Sequence, residues 1–471
     1  DTAGIAISTE VSQQHYPSVA FDGNNYLVVW QENRNGHSWD IYGVRVDQTG
    51  RMLDSSGIAI STTIYDQEWP AVTFGGENYL VVWQDHRMPW DIYGARVARS
   101  GVVLDTPAIA ISTENEFQIY PSVAFDGINY FVVWQSQFGG PYSINGARIN
   151  QAGELLDSNS IVISNAASQY FPSVAFDGTN YLVVWSDSRN PYGDIYGARV
   201  SPSGNVIDPN GIAISTAYYY QLCPSVAFDG TNCFVVWQDY RSGFSYDIYG
   251  ARVDKSGIVL DTVGISISTR IGKKYNPSVA FDAINYSVVW QDSFGLSPWD
   301  IRGVKVTTAG IVIDSFPISF QPGDQVYPTI AHGQGDQVFV VYSGWADSIN
   351  HRPANTMRIW GKFLGPVGVE EARSQQLEAR NALQIYPNPF RRQTQFTFYR
   401  GQSAKSIALK IFDVSGRVVK DFDLSSLVSR PSQVVTWHGD DNSGKQLPSG
   451  VYFCRLEAGN VSLTKKVVKL E

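Results

Sequence analysis

Apolar and polar positions along residues 1–364 follow one pattern that returns seven times. Each copy opens with the half-apolar stretch Pro-Ser-Val-Ala-Phe and an Asp-Gly-x-Asn turn. An unbroken apolar run, Tyr-Leu-Val-Val-Trp, comes next, followed by a variable polar stretch. An alternating segment, Ile-Tyr-Gly-Ala-Arg-Val, then leads through a Ser-Gly turn to Gly-Ile-Ala-Ile-Ser. The pattern predicts four strands, a to d, per copy. Asp-Gly between two β-prone runs is a hairpin signal. The run without a polar face marks strand b as central and covered on both sides. The opening prolines are Pro17, Pro70, Pro121, Pro172, Pro224, Pro277 and Pro328, spaced 53, 51, 51, 52, 53 and 51 residues apart.

A fixed period near fifty residues implies a solenoid, a propeller or an array. Four antiparallel strands repeated seven times read as an all-β, seven-bladed β-propeller. The ends of the repeat region carry a second argument. Residues 4–8, Gly-Ile-Ala-Ile-Ser, are a d strand with nothing before it. The seventh copy has strands a, b and c at Pro328–Ala331, Val338–Tyr342 and Ile359–Leu364, and no d. The N-terminal strand is therefore expected to complete blade seven, which removes two free sheet edges. The likeness to WD-repeat propellers stops at closure, because no Gly-His…Trp-Asp signature occurs.

The a–b and c–d turns are nearly constant from copy to copy, whereas the b–c and d–a loops vary. Binding residues concentrate on variable loops held by a rigid scaffold, so the b–c/d–a face is the candidate working surface. Its candidates are Arg34, Trp39, Arg87, Trp90, Phe138, Tyr142, Arg189, Tyr192, Tyr240, Arg241, Phe244, Tyr246, Trp299 and Trp345. Arginine and aromatic residues are what interface hot spots use, and aromatic faces also suit sugar rings. Capping of blade ends is the competing reading. Trp39, Trp90, Tyr142, Tyr246 and Trp299 recur just before strand c, which favours packing between blades. Gln14, Gln67, Gln118, Gln169, Gln221 and Gln325, with Lys274 in copy six, recur three residues before the strand-a proline. They are expected to ring the channel mouth and bond neighbouring blades.

Charged residues are only 17% of the chain, and the net charge is −9. That balance argues against a nucleic-acid partner, and no apolar run is long enough for a membrane helix. Asp1 is not a start residue, so a removed signal peptide is expected. Cys223 and Cys233 are expected to be unbridged core residues, since pairing Phe228 with Cys233 leaves Cys223 too far along its strand. His37, His86 and His351 lie in the b–c loops of neighbouring blades, and His15 precedes strand a. No metal is expected there, because loops on separate blades rarely converge to zinc-ligand distance, and acids such as Asp85 and Asp91 usually bond turns and strand ends rather than calcium. No nucleophile-elbow, zinc-protease, Cys-x-x-Cys or phosphate-loop motif occurs. No enzyme activity and no cofactor are expected.

Residues 365–381 leave the repeat and read as a polar linker. Beyond them stand Tyr386-Pro387-Asn388-Pro389-Phe390, Ile411-Phe412-Asp413-Val414-Ser415-Gly416-Arg417, Leu447-Pro448-Ser449-Gly450-Val451-Tyr452-Phe453 and Lys465-Lys466-Val467. Strands are expected at 396–399, 407–412, 434–437, 451–456 and 463–470, as in a small β-sandwich. On these motifs residues 382–471 resemble the C-terminal sorting domain of type IX secretion. The resemblance implies handling by the secretion machinery and an extracellular or outer-membrane-surface location. Related immunoglobulin-like domains of flagellar hook-capping proteins keep a lasting assembly role open.

Two functions follow. In the first, the chain is a structural or interaction protein that assembles with itself, as a surface-layer or filament subunit, through one extended contact that repeats without closing. In the second, it is a lectin-like glycan binder that uses the aromatic loops at several near-equal sites.

Overall fold

The computed structural model describes residues 4–364 apart from 9, 35, 88, 138, 271, 294–297, 320 and 350–351, and residues 383–470 apart from 387, 400–406, 415, 423–431 and 459–460. The chain forms two compact units, Asp1–Gly365 and Pro366–Glu471. The linker read at 365–381 lies outside the described residues.

The first unit is a seven-bladed propeller. Blade 1 consists of Gln13–Phe21, Asn25–Asn33, Asp40–Asp47 and Ile58–Ser61, paired antiparallel in the order a-b-c-d. Five further sheets repeat that order. The seventh runs Ile5–Ala6, Arg352–Leu364, Val338–Ile349, Gln325–His332. Ile5 stands opposite Gly361 and Ala6 opposite Trp360, and the Ile7 amide donates to the Ile359 carbonyl at 2.9 Å. The N-terminal strand is the missing fourth strand of blade 7.

Strand b is buried from Tyr26 to Trp30 in blade 1 and at the same positions in blade 2. The core does not belong to single blades. Phe131 and Val133 of blade 3 pack with Tyr181 and Val183 of blade 4. Tyr26, Val28 and Trp30 of blade 1 pack in the same way with Phe339 and Val341 of blade 7, which closes the ring. Each fully buried Val, Leu or Phe contributes roughly 1.5–3 kcal/mol, so the blades hold one another mainly by burial.

Polar ties reinforce each seam. In strand c of blade 2, Arg96 grips Asp105 through Nε and Nη2 at 2.9 and 2.7 Å, while Nη1 donates to the Gln151 carbonyl of blade 3 at 2.9 Å. Arg45, Arg148, Arg199 and Arg252 do the same with Asp54, Asp157, Asp208 and Asp261. A bidentate Arg–carboxylate pair is geometrically strict. Here it requires glycine in the neighbouring turn: at Gly153, with φ +85°, a Cβ would stand 2.9 Å from Arg96 Nε.

Strand a differs from its sequence reading. It starts at Gln13, not at Pro17, and a bulge falls between His15 and Ser18. Proline has no N–H for the ladder, so the pairing skips it. The residue before it turns left-handed in every blade: φ is 51–54° at Tyr16, Trp69, Tyr120, Phe171, Cys223, Asn276 and Tyr327. Cys223 is thus a half-buried bulge residue and not a core residue. Cys233 is buried opposite Phe228, and both thiols are free.

In the second unit, Leu383–Tyr386, Thr394–Tyr399 and Ser432–Trp437 form one sheet. Val418–Phe422, Ile407–Phe412, Gly450–Ala458 and Val461–Lys469 form the other. Phe396, Leu409, Ile411, Trp437, Cys454 and Val467 make the core between them. The sequence reading lacked the strands at 383–386 and 418–422.

Candidate ligand-binding face

The amide of Gln67, at the start of strand a, donates to the carbonyl of Trp39, just before strand c of the preceding blade, at 2.7 Å. The b–c loops and d–a connections therefore share one end of the blades. The same tie joins Gln118 to Trp90, Gln169 to Tyr142, Lys274 to Tyr246 and Gln325 to Trp299. Five of the aromatic candidates thus sit at inter-blade seams. Their rings meet side chains near strand a: Trp39 faces His15 at 5.5 Å, Tyr142 meets Tyr170 at 5.4 Å, and Trp90 stacks on His86 at 3.9 Å.

The four arginine candidates are engaged in their own blades. Arg189 pairs with Asp187 at 2.8 Å, donates to the Asn210 carbonyl at 2.9 Å and lies 3.8 Å over the Tyr196 ring. Arg241 treats Asp239, Val263 and Tyr249 alike. Arg34 pairs with Glu32 over Tyr42, and Arg87 with Asp85 over Tyr93. The acid is fully buried in each case and in three blades also accepts from the strand-b tryptophan: Trp30 Nε1 to Glu32 at 3.0 Å, Trp185 Nε1 to Asp187 at 2.9 Å and Trp237 Nε1 to Asp239 at 2.8 Å. In blade 6 the cation moves into strand c, where Arg302 pairs with Asp292 at 2.7 Å.

A second acid stands opposite each of these across the strands: Asp40 by Glu32, Asp91 by Asp85, Asp300 by Asp292. Burial pushes the carboxyls of Asp40, Asp91 and Asp300 up to about 6, with the facing carboxylate adding to the effect. Among the described residues no three His, Cys, Asp or Glu side chains gather as a metal site would need. His86 instead bonds Glu68 at 2.8 Å.

The glutamines expected at the channel mouth are buried. Gln14 donates to Ser8 Oγ at 2.7 Å and Glu32 Oε1 at 3.0 Å, and accepts from the Ile359 amide of blade 7 at 3.2 Å. Their bonding across blades is as expected, but the axis belongs to the left-handed residues two positions on, which the sequence reading missed. Rings of adjacent blades touch there: Tyr327 to Tyr16 at 4.3 Å, Tyr16 to Trp69 at 3.8 Å, Trp69 to Tyr120 at 4.7 Å and Tyr120 to Phe171 at 4.9 Å. Six of the seven bulges are held from the preceding blade, as in Trp69 N to Gln31 Oε1 at 3.0 Å and Tyr327 N to Gln291 Oε1 at 3.0 Å. At Cys223 and Asn276 the girdle carries no ring.

Outside the girdle the face is asymmetric. Across blades 4 to 6, Tyr192, Tyr218, Tyr219, Tyr240, Tyr246, Tyr275 and Trp299 form a continuous ribbon with ring centres 4.4–6.0 Å apart. Tyr218 and Phe244 are 64% and 92% exposed. Trp345 is half-buried in the long strand b of blade 7. Phe138 and His351 lie outside the described residues.

In the C-terminal unit the opening motif clamps the last strand. Asn388 Nδ2 donates to the Lys466 carbonyl at 2.8 Å, and Asn388 Oδ1 accepts from the Val468 amide at 2.9 Å. The Phe390 amide donates to the Val468 carbonyl at 3.0 Å. Residues 384–470 match the family of secretion system C-terminal sorting domains. The C-terminal unit is a type IX sorting domain. The sorting domain places the protein outside the cell or on the outer-membrane surface and implies handling by the secretion machinery.

No curated protein matches the chain. Solved structures similar to it include a thermostable family-43 glycoside hydrolase, at 14% identity over 53% of this chain and 89% of that one, with a TM-score of 0.35. Others are the endo-arabinase from Bacteroides thetaiotaomicron, at 13% identity, 69% and 100% coverage and TM-score 0.38, and TolB from Acinetobacter baumannii, at 14%, 66% and 81%, and 0.38.

Proposed function

We propose that the protein is a non-enzymatic, surface-displayed interaction propeller that associates with copies of itself through the rim of its c–d turns. One observation carries this reading. Each c–d turn of blades 2, 5 and 6 presents two outward aliphatic side chains: Val102 and Leu104, Ile258 and Leu260, Ile311 and Ile313. Val102, Ile258 and Ile311 are 57%, 60% and 60% exposed. Isolated exposed aliphatics are ordinary, but a repeated apolar rim marks an interaction surface. The substitutions Val102→Asp, Ile258→Asp and Ile311→Asp, made together, change only exposed side chains. Negative-stain images should show assemblies for the native protein and single particles for this variant. Single particles for both would reject the reading.

A second reading, carbohydrate binding on the b–c/d–a face, is favoured by the tyrosine ribbon of blades 4 to 6, half-buried along its length and exposed at Tyr218. With the four arginines neutralised by their acids, this ribbon offers ring faces and hydroxyls, a combination suited to uncharged sugars.

A further inference from the structure

The bulge before each strand-a proline imposes the same backbone on seven residues of five kinds. Five are aromatic and run without interruption from Tyr327 through Tyr16, Trp69 and Tyr120 to Phe171. The other two, Cys223 and Asn276, share the same φ of 52° and are adjacent in the ring. The girdle thus has a single gap, bounded by Phe171 on one side and Tyr327 on the other. Nothing in the backbone requires it, because an aromatic residue fits the same conformation in the other five blades.

The gap lies where the ribbon reaches the axis. Tyr275, a ribbon member, immediately precedes Asn276, and its ring lies 5.3 Å from both Tyr246 and Trp299. The Asn276 amide is fixed by donation to Gln291 Oε1 at 3.0 Å, which leaves its carbonyl oxygen as an acceptor. The Cys223 amide is satisfied by Ser186 Oγ at 3.1 Å. Basic groups of this face are engaged: Arg189 and Arg241 are paired, and Lys274 is buried against Asp247 at 3.1 Å. These three offer a charged ligand no partner. A neutral sugar ring finds flat apolar faces, an amide and phenol hydroxyls.

We propose that the gap at Cys223 and Asn276 is a slot for the terminal sugar of a neutral glycan chain, whose following sugars lie along the ribbon from Tyr275 toward Tyr218. This rests on the carbohydrate reading above and narrows it from several equivalent sites to one.

The repeat itself supplies the test. Cys223→Tyr with Asn276→Tyr restores the side chain that Tyr16, Tyr120 and Tyr327 already carry at that φ, so it fills the slot without new backbone strain. Binding of cello-, xylo-, manno- and chitohexaose is measured by calorimetry on the full chain. At least one hexaose should bind the native protein. The filled-slot variant should lose about tenfold or more in affinity, the scale of one lost aromatic contact, at an unchanged melting temperature. The ribbon variant Tyr218→Ala should weaken binding separately. Affinity lost in the ribbon variant but kept in the filled-slot variant overturns the slot and leaves the carbohydrate reading standing. No binding of any hexaose overturns both. Should the double variant melt early, Cys223→Phe, which copies Phe171, takes its place with the same outcomes.

Discussion

The hydroxyl of Tyr79 in blade 2 donates to the backbone carbonyl of Asn25 in blade 1 at 2.9 Å. The bond recurs from Tyr130 to Asn78 at 2.8 Å, from Tyr181 to Asn129 at 3.2 Å and from Tyr286 to Asn232 at 3.0 Å. In blade 5 the position is Cys233, which supplies no hydroxyl. Each tyrosine is buried beside the strand-b core of its neighbour, so its bond anchors one blade's turn to the next. Tyr79→Phe keeps the ring and removes only the donor. We expect a loss of about 1 kcal/mol, read as a lower denaturant midpoint at an unchanged slope.

The buried acids give the propeller an unusual pH response. Asp40, Asp91 and Asp300 have carboxyls raised to about 6, chiefly by burial, while the unfolded value is near 4. A raised carboxyl binds its proton more tightly in the fold. The stability it contributes is complete below pH 4 and is lost as pH rises through 6. Burial lowers the His15 imidazole, which opposes this trend, but Asp194 and Asp247 are raised as well, and acids held low, such as Asp187 and Asp208, lose their contribution only below this range. The melting temperature should therefore rise as pH falls from 7.5 to 5. Asp91→Asn should stabilise the protein at pH 7.5 and flatten the profile. A melting temperature that falls steadily across this range would refute the assignment.

Removal of residues 1–9 should open the ring. It strips the fourth strand from blade 7 and takes Ile7 out of the core shared by blades 7 and 1. A fully buried isoleucine alone accounts for roughly 1.5–3 kcal/mol, and two new edges favour aggregation. A lower melting temperature with increased light scattering is expected. An unchanged melting curve would show that closure does not depend on this strand.

The architecture was legible because each strand repeats its polarity pattern seven times, and the orphan strand at residues 4–8 pointed to closure. The working face was less so. Arg189 and Arg241 read as free hot-spot residues, although each stands two positions after the acid that neutralises it, Asp187 and Asp239. That spacing was the available signal, and burial of the acids gives it its meaning. The girdle was missed because a residue before proline is expected to be extended. Only the paired bulge makes Tyr16 and its equivalents left-handed and turns them to the axis. A different signal was present: between the recurring glutamine and the proline of the a strands, this position is aromatic in five copies and runs through Tyr, Trp, Phe, Cys and Asn.

The central functional claim is self-association through the aliphatic rim, and the solution mass of the intact chain tests it most directly. Light scattering across a concentration series should give masses above the 52.1 kDa of one chain, rising with concentration and returning to one chain in the Val102→Asp, Ile258→Asp, Ile311→Asp variant. A mass that stays at one chain at every concentration would contradict the claim.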